Sequence, residues 1–205
     1  SAERRSKLDP DVRMSLGESL HIDGEGELNR SSMSGTGNVL IHRSVFREVG
    51  AFDPEIRAGG EDTEFGARVW KEGVRTWFEP EAVVYHHVPE YRLDEDYLTW
   101  TNRQSGQSFA LRDLRIWGRA GLIVLLIARS ARALFVFVPL YVFAVLRARE
   151  NRALGKKCRI ARAMSYVRRG TKLLISSGDG EADPELCFRR ERGDFRDIGS
   201  SERRE

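Results

Sequence analysis

The residues best suited to chemistry lie in the run Gly59-Gly60-Glu61-Asp62-Thr63-Glu64, where three carboxylates follow two glycines. Phe65, Val69 and Trp70 recur at helical spacing up to Gly73, which predicts a helix over 61–72 and puts the acids in its first turn. A carboxylate there is favoured by the helix dipole. Adjacent acids also suit a base that must take a proton near neutral pH. Glycines just before the helix let backbone and ligand approach closely. The plainer alternative is an acidic first turn that only caps its helix. Glu64 and Arg68 stand four apart and are expected to form a surface or hinge ion pair.

Two further clusters follow. Val84-Tyr85-His86-His87-Val88-Pro89 ends a strand-like run, and adjacent histidines on a strand point to opposite sides. One of them could complete a divalent metal site, or simply hydrogen-bond at the strand end. Arg92, and Arg103 within Trp100–Ser108, carry guanidinium forks that match diphosphate oxygens. Ordinary surface charge is their alternative reading.

Several elements must position these groups. Asn38–His42 reads as a strand and 43–50 as a helix closed by Gly50. Short strands are expected at 74–78 and 82–86, split by Glu79-Pro80-Glu81, and a helix at 94–111 with Asp94 as N-cap. Residues 1–34 read mostly as loop. The character changes near Leu114: 120–128 and 133–146 are apolar, with Arg129 and Arg132 between them. Neither block alone reaches the ~20 residues of a membrane-spanning helix. An in-plane or re-entrant helical hairpin bent near Pro139 is therefore expected.

Composition narrows the classes. The chain has 205 residues, 40% of them hydrophobic, and a net charge of +3. That average hides a segregation, since Arg147–Lys172 carries ten basic residues and one acid, a net +9 that leaves −6 for the rest. Such a collar beside an apolar helix suits an anionic leaflet. Nucleic acid fits poorly, because Tyr166 is the only aromatic in that segment available for stacking. Cys158 and Cys187 form no CxxC and read as reduced thiols of a cytosolic compartment. SAERRSKLDPDVR has no apolar core of a signal peptide, and Ser1 in place of Met suggests a processed or partial product. The tail 176–205 is polar and expected to be disordered.

The order of the pieces is more specific than any one of them. GTGNVLIHRSVFREVGAFDPEI, then GGEDTEFGARVWKEGVRTWFEPEAVVYHHVP, then an R…W…R…GQS run, resembles the C-terminal half of family-two glycosyltransferases over residues 35–112. The resemblance implies an α/β fold: the acceptor part of a GT-A architecture, followed by a helical, membrane-associated appendage over 113–175. It implies an inverting, nucleotide-sugar-dependent transferase acting on a glycan or lipid-linked acceptor at the cytoplasmic face of the membrane. Asp62 would be the general base with Glu61 beside it. Gly37, Asn38 and Gly60 would line the pocket, and Arg103 and Arg92 would contact the donor diphosphate. His86 would help hold a divalent metal, Mg2+ or Mn2+. The family's nucleotide-binding half, whose strand end carries its D-x-D metal ligands, has no counterpart before Gly35, and Asp94-Glu95-Asp96 falls after the His and reads as a helix start, so this chain alone is expected to be inactive. A nucleotide cyclase of the GGDEF kind needs its two acids and Phe in immediate succession, which Thr63-Glu64 interrupts. The remaining rival is a non-enzymatic peripheral protein that docks on anionic lipid through residues 120–172.

Overall fold

The structure is a computed structural model and describes residues 8–16, 25–28, 35–56, 59–85 and 87–175. Its elements are α1 (Pro10–Ser15), β1 (Gly26–Glu27), α2 (Arg43–Val49), α3 (Glu61–Lys71), β2 (Trp77–Phe78), α4 (Glu95–Arg132), α5 (Val138–Leu146) and α6 (Glu150–Ile175). A 3-10 turn covers Thr36–Asn38, another covers Glu90–Leu93, and a π-turn covers Ala133–Phe137.

The architecture corrects the expected α/β fold. Among the described residues 72% are helical and the one sheet has two strands, which is not a GT-A fold. β1 pairs antiparallel with β2, Gly26 opposite Phe78 and Glu27 opposite Trp77. The strands expected at 38–42 and 82–86 do not form within the described residues. Leu40 is 98% and Tyr85 94% exposed, so these apolar runs face no sheet neighbour. A strand is held by its ladder, and local pattern alone does not supply one.

Three helical segments make the main body. Gly118 (φ 67°, ψ −173°) breaks α4 and reverses the chain, so residues 95–117 form a first arm and 119–132 a second. The second arm continues through the π-turn into α5. The turn at 147–149 then returns the chain along both arms as α6. Lys157 reaches Glu95 and Arg162 reaches Asn102, so α6 runs parallel to the first arm. Gly170 faces Leu126 and Arg159 stacks on Phe137, so α6 runs antiparallel to the second arm and π-turn. The expected bend near Pro139 is absent. Proline removes one helical donor and crowds the carbonyl four residues earlier. Here the wider π-turn immediately upstream takes up that mismatch and the helix continues.

Close approach sets the bundle's spacing. A Cβ on Gly106 would lie 2.3 Å from the Arg162 carbonyl oxygen, so the two helices meet where the side chain is smallest. At one end, Leu8, Val12 and Leu16 of the α1 segment pack with Leu93, Leu98 and Cys158, so part of the expected N-terminal loop is ordered helix. At the other end, Ile56 joins Ala110, Leu111, Leu122, Tyr166 and Leu173. That second cluster docks the 35–85 segment beside the Gly118 reversal.

Candidate functional site

α3 begins where the glycines allow. Gly60 has φ 99°, a left-handed value that favours glycine, and its carbonyl accepts the first helical bond from Glu64 N at 3.0 Å. A side chain at Gly60 would meet the Phe109 ring at 3.1 Å and Arg112 Cδ at 3.4 Å. The helix start is therefore seated directly on the first arm of α4.

Three acids in that turn take three different roles. Glu64 is 7% exposed and receives Arg68 at 2.8 Å on both carboxylate oxygens. Arg68 also donates to the carbonyls of Val49 and Ala51, the latter at 2.8 Å. The expected surface or hinge pair is thus a part-buried clasp that holds the end of α2 against α3. Phe46, Phe52 and Phe65 pack beneath it, with ring centroids 4.4–6.2 Å apart.

Asp62 Oδ1 accepts from the Thr63 backbone N–H at 2.6 Å and from Thr63 Oγ1 at 3.2 Å. Its other oxygen faces the Gly35-Thr36-Gly37-Asn38 loop, where a Cβ on Gly35 would come within 3.0 Å of Oδ2. Glu61 Oε2 is buried and has no hydrogen-bond partner among the described residues. A buried carboxylate oxygen without a donor carries a desolvation cost that a hydroxyl, ammonium or cation would relieve.

The remaining expected residues divide. Gly37 has open space around it, and Asn38 Nδ2 donates to the Ala82 carbonyl at 2.6 Å, which ties the loop to the segment leading to the histidines. Arg92 lies over the rings of Tyr91 and Tyr97 at 5.9 and 5.7 Å. Arg103 is exposed on α4, two turns before the Phe109–Arg112 seat. His86 lies outside the described residues, and His87 is exposed. Among the described residues no three His, Cys, Asp or Glu side chains converge as a metal set. The carboxylates of Glu61 and Asp62 alone do not make a site for Mg2+ or Mn2+, which favour about six oxygen ligands.

Arg112 and Phe109 were missed by sequence reasoning, although they wall the helix start. Arg112 stacks on Phe109 at 4.3 Å and donates to Asp113 Oδ1 at 2.7–2.8 Å. The signal was available, since aromatic and Arg stand three apart on one helix face. The Phe52-Asp53-Pro54 turn contributes the docking. Asp53 Oδ1 accepts from Glu55 N at 2.9 Å, while Arg115 binds Asp53 at 3.3 Å and Glu55 at 2.5 Å.

A second feature lies along the other face of the bundle. Among the described residues one helix is long and apolar enough to cross a membrane, and only 6% of its most apolar stretch is buried. Leu122 and Ala144 turn inward, while Ile127 (67%), Phe135 (74%) and Leu146 (79%) are exposed. Arg132 and Arg159 flank Phe137 at 5.3 and 5.2 Å, and Arg147 covers Phe143 at 4.8 Å. Not all of the basic collar faces solvent. Arg162 donates to Asn102 Oδ1 and to Ser15 Oγ, each at 2.9 Å, and Arg169 is buried. No protein-family model, curated protein sequence or solved structure matches this chain.

Proposed function

We propose that this chain is the acceptor-side portion of a nucleotide-sugar-dependent, inverting glycosyltransferase. It works at the cytoplasmic face of the cell membrane and delivers a sugar to a glycan or lipid-linked acceptor. The observation that carries this reading is the approach of Asp62 Oδ2 to Gly35, with the orphaned Glu61 oxygen one residue away. Two of the segments that resemble family-two glycosyltransferases, 35–38 and 59–64, thereby meet at one carboxylate.

In this reading Asp62, steered by its two bonds from Thr63, takes the proton of the acceptor hydroxyl. The acceptor oxygen forms a bond to the anomeric carbon while the bond from that carbon to the diphosphate breaks. The nucleoside diphosphate leaves with the electron pair, and the anomeric configuration inverts. Gly35 and Gly37 leave the approach open, and Asn38 holds the loop in place through Ala82. Together with a full donor-binding half, Asp62→Asn should abolish sugar transfer and leave nucleotide-sugar binding intact. Unchanged transfer would remove Asp62 as the base.

The exposed apolar face of α4 and α5 favours a second reading, a non-enzymatic peripheral protein that docks on anionic lipid. Sugar transfer that responds to Asp62→Asn separates the two.

A further inference from the structure

The turn from α5 into α6 borders an open cleft of about 310 Å³, lined by Asp9, Pro10, Leu140, Phe143, Ala144, Arg149, Arg152 and Lys156. Its two walls differ in chemistry. Leu140 and Phe143, 45% and 48% exposed, continue the apolar face of the helix outside. Arg149, Arg152 and Lys156 face them across the turn. Lys156 lies 3.9 Å from Asp9, so its charge is shared. Arg149 and Arg152 are exposed and, among the described residues, form no ion pair with a carboxylate. The first turn of α6 adds backbone N–H groups that have no carbonyl earlier in the helix, at the positive end of a 26-residue helix. Glu150 in the same turn is exposed and offsets only part of this charge.

We propose that this cleft is a discrete site for the headgroup phosphate of an anionic membrane phospholipid. The phosphate sits between Arg149 and Arg152, and the first methylenes of an acyl chain run along Phe143 and Leu140. Charge complementarity selects the occupant. Two unpaired guanidinium groups beside an exposed apolar helix match an anion that carries its own hydrocarbon. Arg147, stacked on Phe143, extends the cationic rim at the same level. The proposal deepens the membrane-association part of the preceding reading and is independent of the transferase chemistry.

The test is flotation of the full chain with vesicles of phosphatidylcholine alone or with one third phosphatidylglycerol. Arg149→Glu/Arg152→Glu is compared with Arg168→Glu/Lys172→Glu, an equal charge reversal on the same helix but ~24 Å further along it. Binding that requires phosphatidylglycerol and falls about tenfold or more only in the first pair supports the site. Equal losses in both pairs overturn a discrete site while leaving general electrostatic docking in place. Equal wild-type binding to both vesicle types overturns the site and the anionic docking together. Competition by millimolar inorganic phosphate that releases the chain from vesicles assigns the cleft to a free anion and overturns the lipid. Arg149→Gln/Arg152→Gln, with an unchanged thermal transition, guards against misfolding and should show the same loss in weaker form. Sugar transfer is not read, so failure here leaves the Asp62 proposal standing.

Discussion

The Tyr166 hydroxyl donates to Asp113 Oδ2 across 2.9 Å in the middle of the bundle, and Arg129 donates to the same oxygen at 2.8 Å. Arg112 takes the other oxygen. One carboxylate, 2% exposed, therefore joins both arms of α4 to α6. Losing the carboxylate leaves two buried or half-buried guanidinium groups and a phenol unpaired, whereas losing the hydroxyl leaves the ion pairs intact. Tyr166→Phe is expected to cost about 1.5–3 kcal/mol and Asp113→Ala about 3–5 kcal/mol. A double-mutant cycle on thermal or denaturant unfolding should show strong coupling. Additive losses would mean the two residues act independently.

Stability should fall in alkali. Burial pushes the Cys158 thiol up from 9.0 to about 11, and burial together with Asp113 pushes the Tyr166 hydroxyl up as well. Above pH 9.0 the unfolded chain releases the Cys158 proton while the folded chain keeps it up to about pH 11. The unfolded state then binds fewer protons, so the free energy of unfolding declines through that window. Cys158→Ala should flatten the decline in a series of melting curves. In a Cys187→Ser background, iodoacetamide at pH 8 should label Cys158 only after unfolding; rapid labelling of the folded chain would contradict its burial.

Three single-residue changes probe the backbone. Gly118→Ala forces a side chain into a conformation that only glycine occupies readily and should cost about 1–3 kcal/mol. Gly106→Ala drives a methyl into the Arg162 carbonyl and should cost about as much by pushing the helices apart. Ala148 has φ 48°, with Arg149 N bonded to Ala144 O at 2.9 Å and Ala148 N to Val145 O at 3.0 Å. This is a Schellman closure with alanine where glycine is usual, so Ala148→Gly should stabilise the turn, by about 0.5–1 kcal/mol. A lower melting temperature for Ala148→Gly would overturn that account.

Gly35→Ala tests the site from the side opposite Asp62. A methyl 3.0 Å from Oδ2 displaces the carboxylate or fills the space in front of it. If Asp62 is the proposed base, turnover of the chain joined with a donor-binding half should drop by about a hundredfold with the melting temperature nearly unchanged, because misplacement of a base by ~1 Å is enough. Full activity would place the acceptor elsewhere.

Helix α3 was legible because its signals are local: left-handed Gly60, an acidic first turn and apolar spacing at Phe65 and Val69. Helix α2 was equally so, ending at Gly50 with φ 80°. The i, i+4 spacing gave the Glu64–Arg68 pair but not its burial, which depends on the Val49 and Ala51 carbonyls of another segment. The strand expected at 74–78 forms in part as β2, whereas those expected at 38–42 and 82–86 do not, since Leu40 and Tyr85 carry the right side chains but find no ladder. The sequence pattern points to a bend at Pro139, and the chain reverses at Gly118. Proline advertises a bend, yet a π-turn absorbs it, whereas a glycine within an apparently helical run gives little warning. Asp113 meets partners 16 and 53 residues away, a convergence no local window contains.

The up-down-up course of the bundle also places its two candidate sites at opposite poles. Arg119 donates to the Leu174 carbonyl, so α6 ends beside the Gly118 reversal, near the seat of α3. The cleft at Arg149 and Arg152 is at the opposite pole. A fluorescent reporter joined after Ile175 would thus begin on the side of the molecule where α3 is seated. Quenching by lipid-borne probes would measure how the long axis stands on the bilayer.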